Sequence, residues 1–208
     1  ITNPSQADFN FKGNIQFKNV SFQYPDTGIQ ALKNVSFSLK AGKSLAIVGK
    51  TGSGKSTIAN LVGRLYDINA GEILVDGKQI KEVNLNKLRQ NIGYVPQEAF
   101  LFSTDIAQNI SFGIDDNSLE LVEEAAKNAH LHENIIEFPK GYQTKVGERG
   151  VTLSGGQKQR LSIARAIIKK PPVLIFDDCL SAVDTETEEK ILSNLKNLID
   201  QRTSLIIS

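Results

Sequence analysis

The chain is 208 residues long, which suits one large α/β domain or two small ones and allows a sizeable hydrophobic core. Its 24 Lys and Arg residues nearly balance 23 Asp and Glu residues, for a net charge of +1, and this balance argues against a nucleic-acid partner or an acidic disordered tail. The apolar runs are far shorter than the roughly 18 residues of a membrane-spanning helix. The single cysteine, Cys179, excludes an internal disulfide and fits a reducing cytosol.

The start of the chain is unusual, because the sequence contains no methionine and begins with Ile1. We interpret the chain as a piece excised from a longer protein, the alternative being a processed protein. Residues 1–14 are polar, contain Pro4 and lack apolar periodicity, which predicts a linker or the tail of an upstream segment.

Alternation of apolar residues predicts strands in the first third of the chain. Residues 15–22 hold two alternating apolar pairs with one extra residue between them, which is typical of a strand with a bulge. Residues 35–39 alternate as well and lead into a turn at 41–42. Residues 44–48 form a short apolar run, which predicts a buried strand of a parallel sheet. A helix is predicted next from the apolar spacing over 58–65.

Further strands are predicted at 71–75, followed by an Asp76–Gly77 turn, and at 92–95. The pattern over 103–138 is helical, which predicts a helical insertion. One apolar stripe in this insertion consists of Leu119, Val122, Ala126 and Ala129.

The last third of the chain predicts a helix over 154–169, stopped by two prolines, and a buried strand over 173–176. A helix follows from about Thr185, which forms a capping box with Glu188. Residues 204–207 predict a last buried strand. The whole chain is therefore predicted to be an α/β protein with a small antiparallel portion and a helical insertion.

A glycine-rich segment between a predicted strand and a predicted helix matches the pattern G-x-x-x-x-G-K-[ST] of a phosphate-binding loop. Its residues are Gly49, Lys50, Thr51, Gly52, Ser53, Gly54, Lys55 and Ser56. Glycines let backbone N–H groups turn toward a phosphate, and the helix that follows adds the positive end of its dipole. We expect Lys55 to reach the β- and γ-phosphates, Ser56 to bind Mg²⁺ and Thr57 to support the α-phosphate. A chance match is the alternative, and the strand and helix on either side argue against it.

Two adjacent carboxylates, Asp177 and Asp178, end the buried strand at 173–176. If this strand and the strand before the phosphate loop lie in one parallel sheet, the carboxylates meet the loop. Asp177 is then placed to hold the Mg²⁺ shell, and Asp178 to orient or deprotonate an attacking water. The alternative is that both acids cap the following turn.

A second glycine cluster opens the helix predicted at 154–169. It consists of Leu153, Ser154, Gly155, Gly156 and Gln157. A Ser N-cap followed by two glycines exposes backbone donors at a helix N-terminus, which indicates a second anion site. A simple helix cap is the alternative, although glycines weaken a helix.

Together these motifs resemble ATP-binding cassette (ABC) nucleotide-binding domains. The phosphate loop, Gln97 after a strand, 153–157, the acidic strand end and 181–184 occur in the order seen in that family, and the likeness covers 13–207. The resemblance implies a P-loop NTPase (RecA-like) core with a small antiparallel β-subdomain and a helical insertion that carries the signature motif at 153–157.

The resemblance also implies partners and further site residues. Two such domains pair head to tail, with ATP between the phosphate loop of one and the signature helix of the other. Tyr24 resembles the aromatic residue that stacks on adenine, and Gln97 resembles the glutamine that approaches Mg²⁺ and couples to membrane helices. Asp184 closes a segment that resembles the D-loop, which communicates across the dimer.

The implied domain organisation is a linker at 1–12 from an upstream transmembrane domain, followed by the nucleotide-binding domain at 13–208. Within it, the ATP-binding core spans about 13–97 and 166–208, and the helical subdomain about 98–165. We expect the transmembrane domain to lie in the same polypeptide, which places this chain at the cytoplasmic face of the cell membrane.

Two segments are similar to exporter-type ABC proteins, namely 97–103 and 146–150 just before the signature. In exporters the second segment contacts coupling helices of the transmembrane domains, and this likeness assigns a coupling role to Glu148 and Arg149. The family usually has Glu where this chain has Lys145.

Asp178 stands where the family usually has a catalytic Glu, and its carboxylate is withdrawn by about one C–C bond, ~1.5 Å. Because a misplacement of about 1 Å can cost on the order of a hundredfold in rate, we expect slow hydrolysis at this chain's own site. The signature at 153–157 is intact. The pattern resembles heterodimeric exporters, so we expect a different partner chain with an intact Glu and an altered signature.

A switch-region histidine that contacts the γ-phosphate in the family falls beyond Ser208, so we expect weak hydrolysis from the segment as given. His130 and His132 are expected to be solvated, and Cys179 to have a packing role. Two alternatives to a transporter remain: a soluble ABC ATPase of DNA repair or translation, and a regulatory ATP-binding module without turnover.

Overall fold

The computed structural model describes residues 1, 3, 9–115, 118–147, 150–179, 193, 196, 199–200 and 202–208. The predicted D-loop at 181–184, the capping box of Thr185 and Glu188, and the pair Glu148 and Arg149 lie outside the described residues. The chain divides into two compact units. The first comprises Ile1–Ile92, Pro172–Asp177 and Ile199–Ser208, and the second comprises Gly93–Pro171 and Asp178–Leu198.

The strands of the described chain are β1 (Ile15–Gln23), β2 (Gln30–Leu39), β3 (Ser44–Ile47), β4 (Ala70–Val75), β5 (Lys78–Gln79), β6 (Ile92–Val95), β7 (Val173–Asp177) and β8 (Thr203–Ile207). The α-helices are α1 (Lys55–Val62), α2 (Leu85–Gln90), α3 (Ile106–Ile110), α4 (Leu119–Asn128), α5 (His132–Ile136) and α6 (Gly155–Ile167). Two short 3₁₀ helices span Ile80–Glu82 and Gly141–Gln143.

The first unit contains an antiparallel sheet with strand order β2-β1-β4-β5. The register between β1 and β2 shifts between Phe17 and Val20, which confirms the predicted bulge. Phe17 and Val20 are both buried although they are three positions apart, because the extra residue of a bulge shifts the alternation by one position. The turn at Asp76 and Gly77 joins β4 to β5 with both residues at positive φ, as a two-residue hairpin turn requires.

The second sheet has strand order β3-β8-β7-β6, and β8 pairs in parallel with both β3 and β7. Residues 173–176 are buried, as predicted, and Asp177, the last residue of β7, is buried as well. The prediction that 44–48 is buried is wrong: Ala46 is exposed, Leu45 and Ile47 are half-buried, and Val48 is 79% exposed. Among the strands that the structure describes, β3 stands at the edge of this sheet beside β8, so an apolar run there is less covered than the same run in a central strand.

The second unit is mainly helical over 103–138, which confirms the predicted insertion. Val122, Ala126 and Ala129 of the predicted stripe are buried, but Leu119 is exposed. Leu119 is the first residue of α4, and the buried stripe begins one turn later and includes Ala125. In the part of the chain that the structure describes, no helix is both long and apolar enough to span a membrane.

Candidate functional site

The phosphate loop joins β3 to α1, as the sequence predicts. Gly54 is the N-cap of α1 with φ of 88°, and a Cβ at this position would overlap the carbonyl oxygen of Ala31. Gly52 also has positive φ, 81°, but a Cβ there would meet open space. The first turn of α1 carries no acidic residue. The helix therefore presents its positive end to the loop with no acidic residue of its own in that turn, which favours an anion.

The Lys55 ammonium lies within the loop that precedes it. Its Nζ donates to the carbonyl oxygens of Gly49 at 2.6 Å and Lys50 at 3.1 Å. The loop is further fixed by the Ser53 amide, which donates to the Lys50 carbonyl at 3.1 Å. These bonds hold a positive charge at the position where the sequence predicts the β- and γ-phosphates.

Ser56 and Asp177 come together in the first unit. The Ser56 hydroxyl, in the first turn of α1, donates to Asp177 Oδ1 at 2.8 Å, and Asp177 is buried at the end of β7. Strand β3, which leads into the phosphate loop before Ser56, and strand β7, which ends at Asp177, each pair in parallel with β8. Their carboxyl ends therefore meet at the same edge of the sheet. A hydroxyl and a carboxylate oxygen are hard ligands of the kind that Mg²⁺ takes, and this pair fits such an ion.

Tyr24 is half-buried and fixed by several contacts in the first unit. Its hydroxyl lies 3.0 Å from Thr57 Oγ1. Its ring packs edge-on against Phe22 and Tyr66, with centroid distances of 5.0 Å and 5.3 Å. The sequence analysis missed the two supporting rings, and no motif points to Tyr66. Tyr24 is thus in direct contact with α1, at the residue that follows Ser56.

In the second unit, Gln97 and Asp178 are in direct contact. Gln97 Nε2 donates to Asp178 Oδ2 at 3.1 Å. Asp178 has φ of 45°, a left-handed conformation in which Asp is enriched among non-glycine residues. The buried side-chain amide of Gln159, on α6, donates to the Pro96 carbonyl at 3.1 Å and so fixes the residue before Gln97.

The signature segment forms a capping box at the start of α6. Ser154 Oγ accepts from the Gln157 amide at 3.2 Å, and Gln157 Oε1 accepts from the Ser154 amide at 3.0 Å. The helix-cap alternative from the sequence is therefore present in the structure. Gly155 and Gly156 occupy the first turn beside it, and a Cβ on Gly155 would meet open space. The anion site predicted at this helix start stays a prediction. Such a site would use the backbone amides of Gly155 and Gly156.

Three aromatic side chains form an exposed surface on the second unit, which we call the aromatic patch: Phe100, Phe102 and Phe112. Phe100 is 64% exposed and Phe112 is 53% exposed. Phe102 lies between them, stacked on Phe112 at 4.1 Å and edge-on to Phe100 at 5.1 Å. Contiguous exposed aromatic surface of this kind is typical of an interaction site.

A polar network that the sequence analysis missed supports the patch. The fully buried Asn109 side chain accepts from the Phe102 amide and donates to the Phe102 carbonyl, both at 3.0 Å. Arg165, on α6, donates to the Asn109 carbonyl, to Asn109 Oδ1 and to the Phe100 carbonyl at 2.7–2.8 Å. Its guanidinium also lies over the Phe102 ring at 5.1 Å. Burial lowers the pKa of Arg165 to about 10, so it remains charged at neutral pH.

The segment before the signature pairs with the start of α3. The Ile106 amide donates to the Thr144 carbonyl at 3.1 Å, and the Val146 amide donates to the Thr104 carbonyl at 2.9 Å. Lys145, the residue that departs from the family pattern, forms a bridge with Asp105 through the backbone. These contacts place 144–146 against residues 104–106, which lie between Phe102 and Phe112 in the sequence.

The minor predictions for His130, His132 and Cys179 have different outcomes. His130 is exposed as expected, but the expectation that His132 is solvated is wrong. His132 is half-buried, and its Nδ1 lies 2.7 Å from the Tyr142 hydroxyl, a contact between α5 and the following 3₁₀ helix that no local pattern indicates. Cys179 is buried, in keeping with the packing role predicted for it.

Comparisons with known proteins agree with this geometry. Residues 32–181 match a family model described as ABC transporter. The chain is 50% identical over 196 residues to an uncharacterized ABC transporter ATP-binding protein, YfiB, of Bacillus subtilis, covering 94% of this chain and 34% of that protein. It is 50% identical over 197 residues to an ATP-dependent lipid A-core flippase of Photobacterium profundum, again covering 94% of this chain and 34% of the relative.

Among solved structures, a bacterial Atm1-family ABC exporter with ATP bound matches with a TM-score of 0.90 and 46% identity, over 95% of this chain and 35% of that one. The chain thus spans about a third of the length of the relatives it matches. The family match covers well over half of the chain, and the solved exporter is 46% identical to it. The chain therefore belongs to the ABC transporter family and is a nucleotide-binding domain of the exporter type.

Proposed function

We propose that this chain binds MgATP, pairs head to tail with a second nucleotide-binding domain, and couples ATP binding and hydrolysis to export through a membrane domain. The observation that carries the proposal is the Ser56–Asp177 hydrogen bond beside the Lys55 ammonium. It brings a hydroxyl, a carboxylate and a cation to the start of one helix. The names of the relatives, a lipid A-core flippase and a multidrug export protein among them, support export without selecting a substrate.

The contacts of the phosphate loop and of Tyr24 support the proposed ATP binding. Lys55 Nζ exchanges the carbonyl oxygens of Gly49 and Lys50 for the β- and γ-phosphates, a gain because a phosphate is a stronger acceptor for an ammonium than a neutral carbonyl. The backbone amides of the phosphate loop and of Thr57 support the phosphate chain. The Tyr24 ring, held by Phe22 and Tyr66, stacks on the adenine.

Ser56 and Asp177 would hold Mg²⁺, and the assignment of Gln97 to the ion rests on its resemblance to the glutamine of the family. When bound, the ion neutralises charge on the β- and γ-phosphate oxygens. Asp177 is buried, so its carboxylate is shielded from solvent and retains a strong attraction for a cation. The Ser56 hydroxyl now donates to that carboxylate and would turn its lone pairs outward to the ion.

Hydrolysis depends on Asp178, which we assign the orientation or deprotonation of the attacking water. Its carboxylate accepts a hydrogen bond from Gln97. The Asp side chain is shorter than the Glu typical of the family, which predicts slow turnover at this site. The capping box at Ser154 and Gln157 leaves Gly155 and Gly156 available to complete the site of a second domain. We propose that this second domain lies in a different chain that supplies the Glu.

The membrane partner is a transmembrane domain of an exporter, in the same polypeptide. The aromatic patch of Phe100, Phe102 and Phe112 offers an apolar surface for a helix of that domain. The chain spans only about a third of the length of its relatives, which leaves room in such proteins for a membrane domain. We propose on this basis that the chain lies at the cytoplasmic face of the membrane. A regulatory ATP-binding module without turnover is the second candidate, and Asp178 favours it for this chain's own site.

Single-turnover ATP hydrolysis by the full-length protein, with its partner chain, separates the two candidates. A working motor converts the bound ATP to ADP, whereas a regulatory module retains it. Lys55→Ala should abolish ATP binding, because it removes the cation at the phosphates, and Lys40→Ala, which changes an exposed lysine of the same unit, should not. Equal ATP binding by wild type and Lys55→Ala would overturn the proposed function.

A further inference from the structure

Two side chains of the signature helix α6 donate hydrogen bonds to the segment that contains Gln97, one on each side of Gln97. Before Gln97, the buried Gln159 side chain donates to the Pro96 carbonyl. After it, Arg165 donates to the Phe100 carbonyl at 2.8 Å. Both donating side chains belong to α6, whose N-terminus carries Ser154 and the signature glycines. The segment 96–100 is therefore tied twice to the element that the proposed function assigns to the second nucleotide.

The hydrogen bonds of Arg165 fix the orientation of its guanidinium group. All three guanidinium nitrogens donate: Nε to the Asn109 carbonyl, Nη2 to Asn109 Oδ1 and Nη1 to the Phe100 carbonyl. A planar fork with three fixed acceptors allows little rotation, and an ammonium could not reproduce it. Asn109 passes the constraint on, because its buried amide group bonds both backbone groups of Phe102.

We propose that Arg165 is a positioning residue that makes the signature helix, the Gln97 segment and the aromatic patch respond to nucleotide together. This inference rests on the proposed function, since it assigns the coupling to the nucleotide-binding step. Arg165 acts through Phe100 and Asn109 and touches no reacting atom. Without it, α6 would still fold and carry the signature, but nucleotide-linked movement of α6 would no longer reach 97–102 through a fixed contact.

The chain offers a matched control for this contact. Arg160, also on α6, donates from Nη2 to Asn134 Oδ1 at 2.8 Å. This is again an arginine–asparagine hydrogen bond in a part-buried position of the same helix, but it leads to α5 and not to the Gln97 segment. Asn134→Ala removes it and tests whether any loss of such a bond produces the same effect as Asn109→Ala.

Amide hydrogen exchange on the full-length exporter in lipid nanodiscs, with and without MgATP, tests the proposal. In wild type, MgATP should slow exchange in the phosphate loop (49–56), in the signature (153–157) and in 97–103. In Arg165→Lys and in Asn109→Ala, the first two segments should keep their protection. Exchange in 97–103 should become roughly tenfold faster and lose its response to MgATP, as expected for loss of a hydrogen bond to a charged group. Asn134→Ala should behave as wild type.

Each other outcome counts against the proposal. If 97–103 remains protected by MgATP in both variants, Arg165 does not position it. If all three segments lose protection equally, or if Asn134→Ala has the same effect as Asn109→Ala, the role is one of general stability. Failure of the proposed function looks different, because MgATP would then leave 49–56 unprotected in wild type.

Discussion

The side-chain amide of Gln97 donates a 3.1 Å hydrogen bond to Oδ2 of Asp178. This bond engages one oxygen of the carboxylate that we assign to the attacking water. It also joins two residues that the sequence places in separate motifs 81 positions apart. The backbone of Asp178 is in the left-handed region, so the direction of the side chain is set by the turn as well as by Gln97.

Asp178→Glu should raise the rate of ATP hydrolysis. The longer side chain advances the carboxylate by about one C–C bond, ~1.5 Å, and correcting a misplacement of that size is expected to raise the turnover number by on the order of ten- to a hundredfold. Steady-state phosphate release by the full-length protein, alone and with candidate partner chains, measures this. Asp115→Glu makes the same change at an exposed site and should have no effect. A wild-type homodimer that turns over as fast as Asp178→Glu would refute the assignment.

Tyr24→Ala should weaken ATP binding about tenfold or more, since stacking of a base on an aromatic ring contributes about 1–3 kcal/mol. Tyr24→Phe retains the ring and its packing on Phe22 and Tyr66 but loses the hydroxyl contact with Thr57. It should therefore bind ATP within a few-fold of wild type. Titration of each variant with MgATP gives the dissociation constants. Equal weakening by the two substitutions would show that the Thr57 contact matters and the ring does not.

Most of the elements were predictable because they are encoded locally. Alternation over 15–22 and the glycine-rich loop at 49–56 depend on neighbours along the chain, and both appear in the structure. The proximity of Ser56 and Asp177 spans 121 residues, yet it was predictable, because the carboxyl ends of parallel strands meet at one edge. Here the rule for parallel sheets predicted a long-range contact that no local pattern indicates.

Other features depend on which partners the fold brings together, and no local pattern holds that information. The apolar run at 44–48 resembles a central strand, but its burial depends on its place in the strand order, where β3 is at the edge. The contact of Arg165 with Asn109 spans 56 residues. In the sequence, Arg165 is one more basic residue on a helix, and only tertiary contacts make it the support of the aromatic patch.

Two glycines of the phosphate loop should respond differently to the same substitution. Gly54→Ala places a Cβ against the Ala31 carbonyl in addition to forcing alanine into φ of 88°. Gly52→Ala faces open space and should cost only the left-handed strain, about 1–2 kcal/mol. Urea unfolding should therefore show a clearly larger loss of unfolding free energy for Gly54→Ala. Equal losses would mean that the loop moves away from Ala31 without cost.

Asp76 should make the stability of the first unit depend on pH at the acidic end. Its carboxylate accepts from the amides of Lys12, Gly13 and Asn14 and from the Asn14 side chain. Burial acts to raise the pKa of Asp76, but these hydrogen bonds outweigh it and hold the pKa below its usual value of 3.8. A pKa that is depressed in the folded state means that the stabilisation is complete above 3.8 and is lost as the pH falls through the folded value.

Asp76→Asn removes the charge but tolerates the left-handed backbone, φ of 49° at this position. It should lower the unfolding free energy by about 1–3 kcal/mol near neutral pH, because charge-assisted hydrogen bonds are lost. The difference between wild type and variant should shrink as the pH falls below 3.8, where the wild-type carboxylate also becomes protonated. Urea unfolding at neutral and acidic pH measures the difference, and Asn14→Ala in a double-mutant cycle isolates the share of that one partner. A difference that stays constant across this range would show that the Asp76 charge does not stabilise the turn.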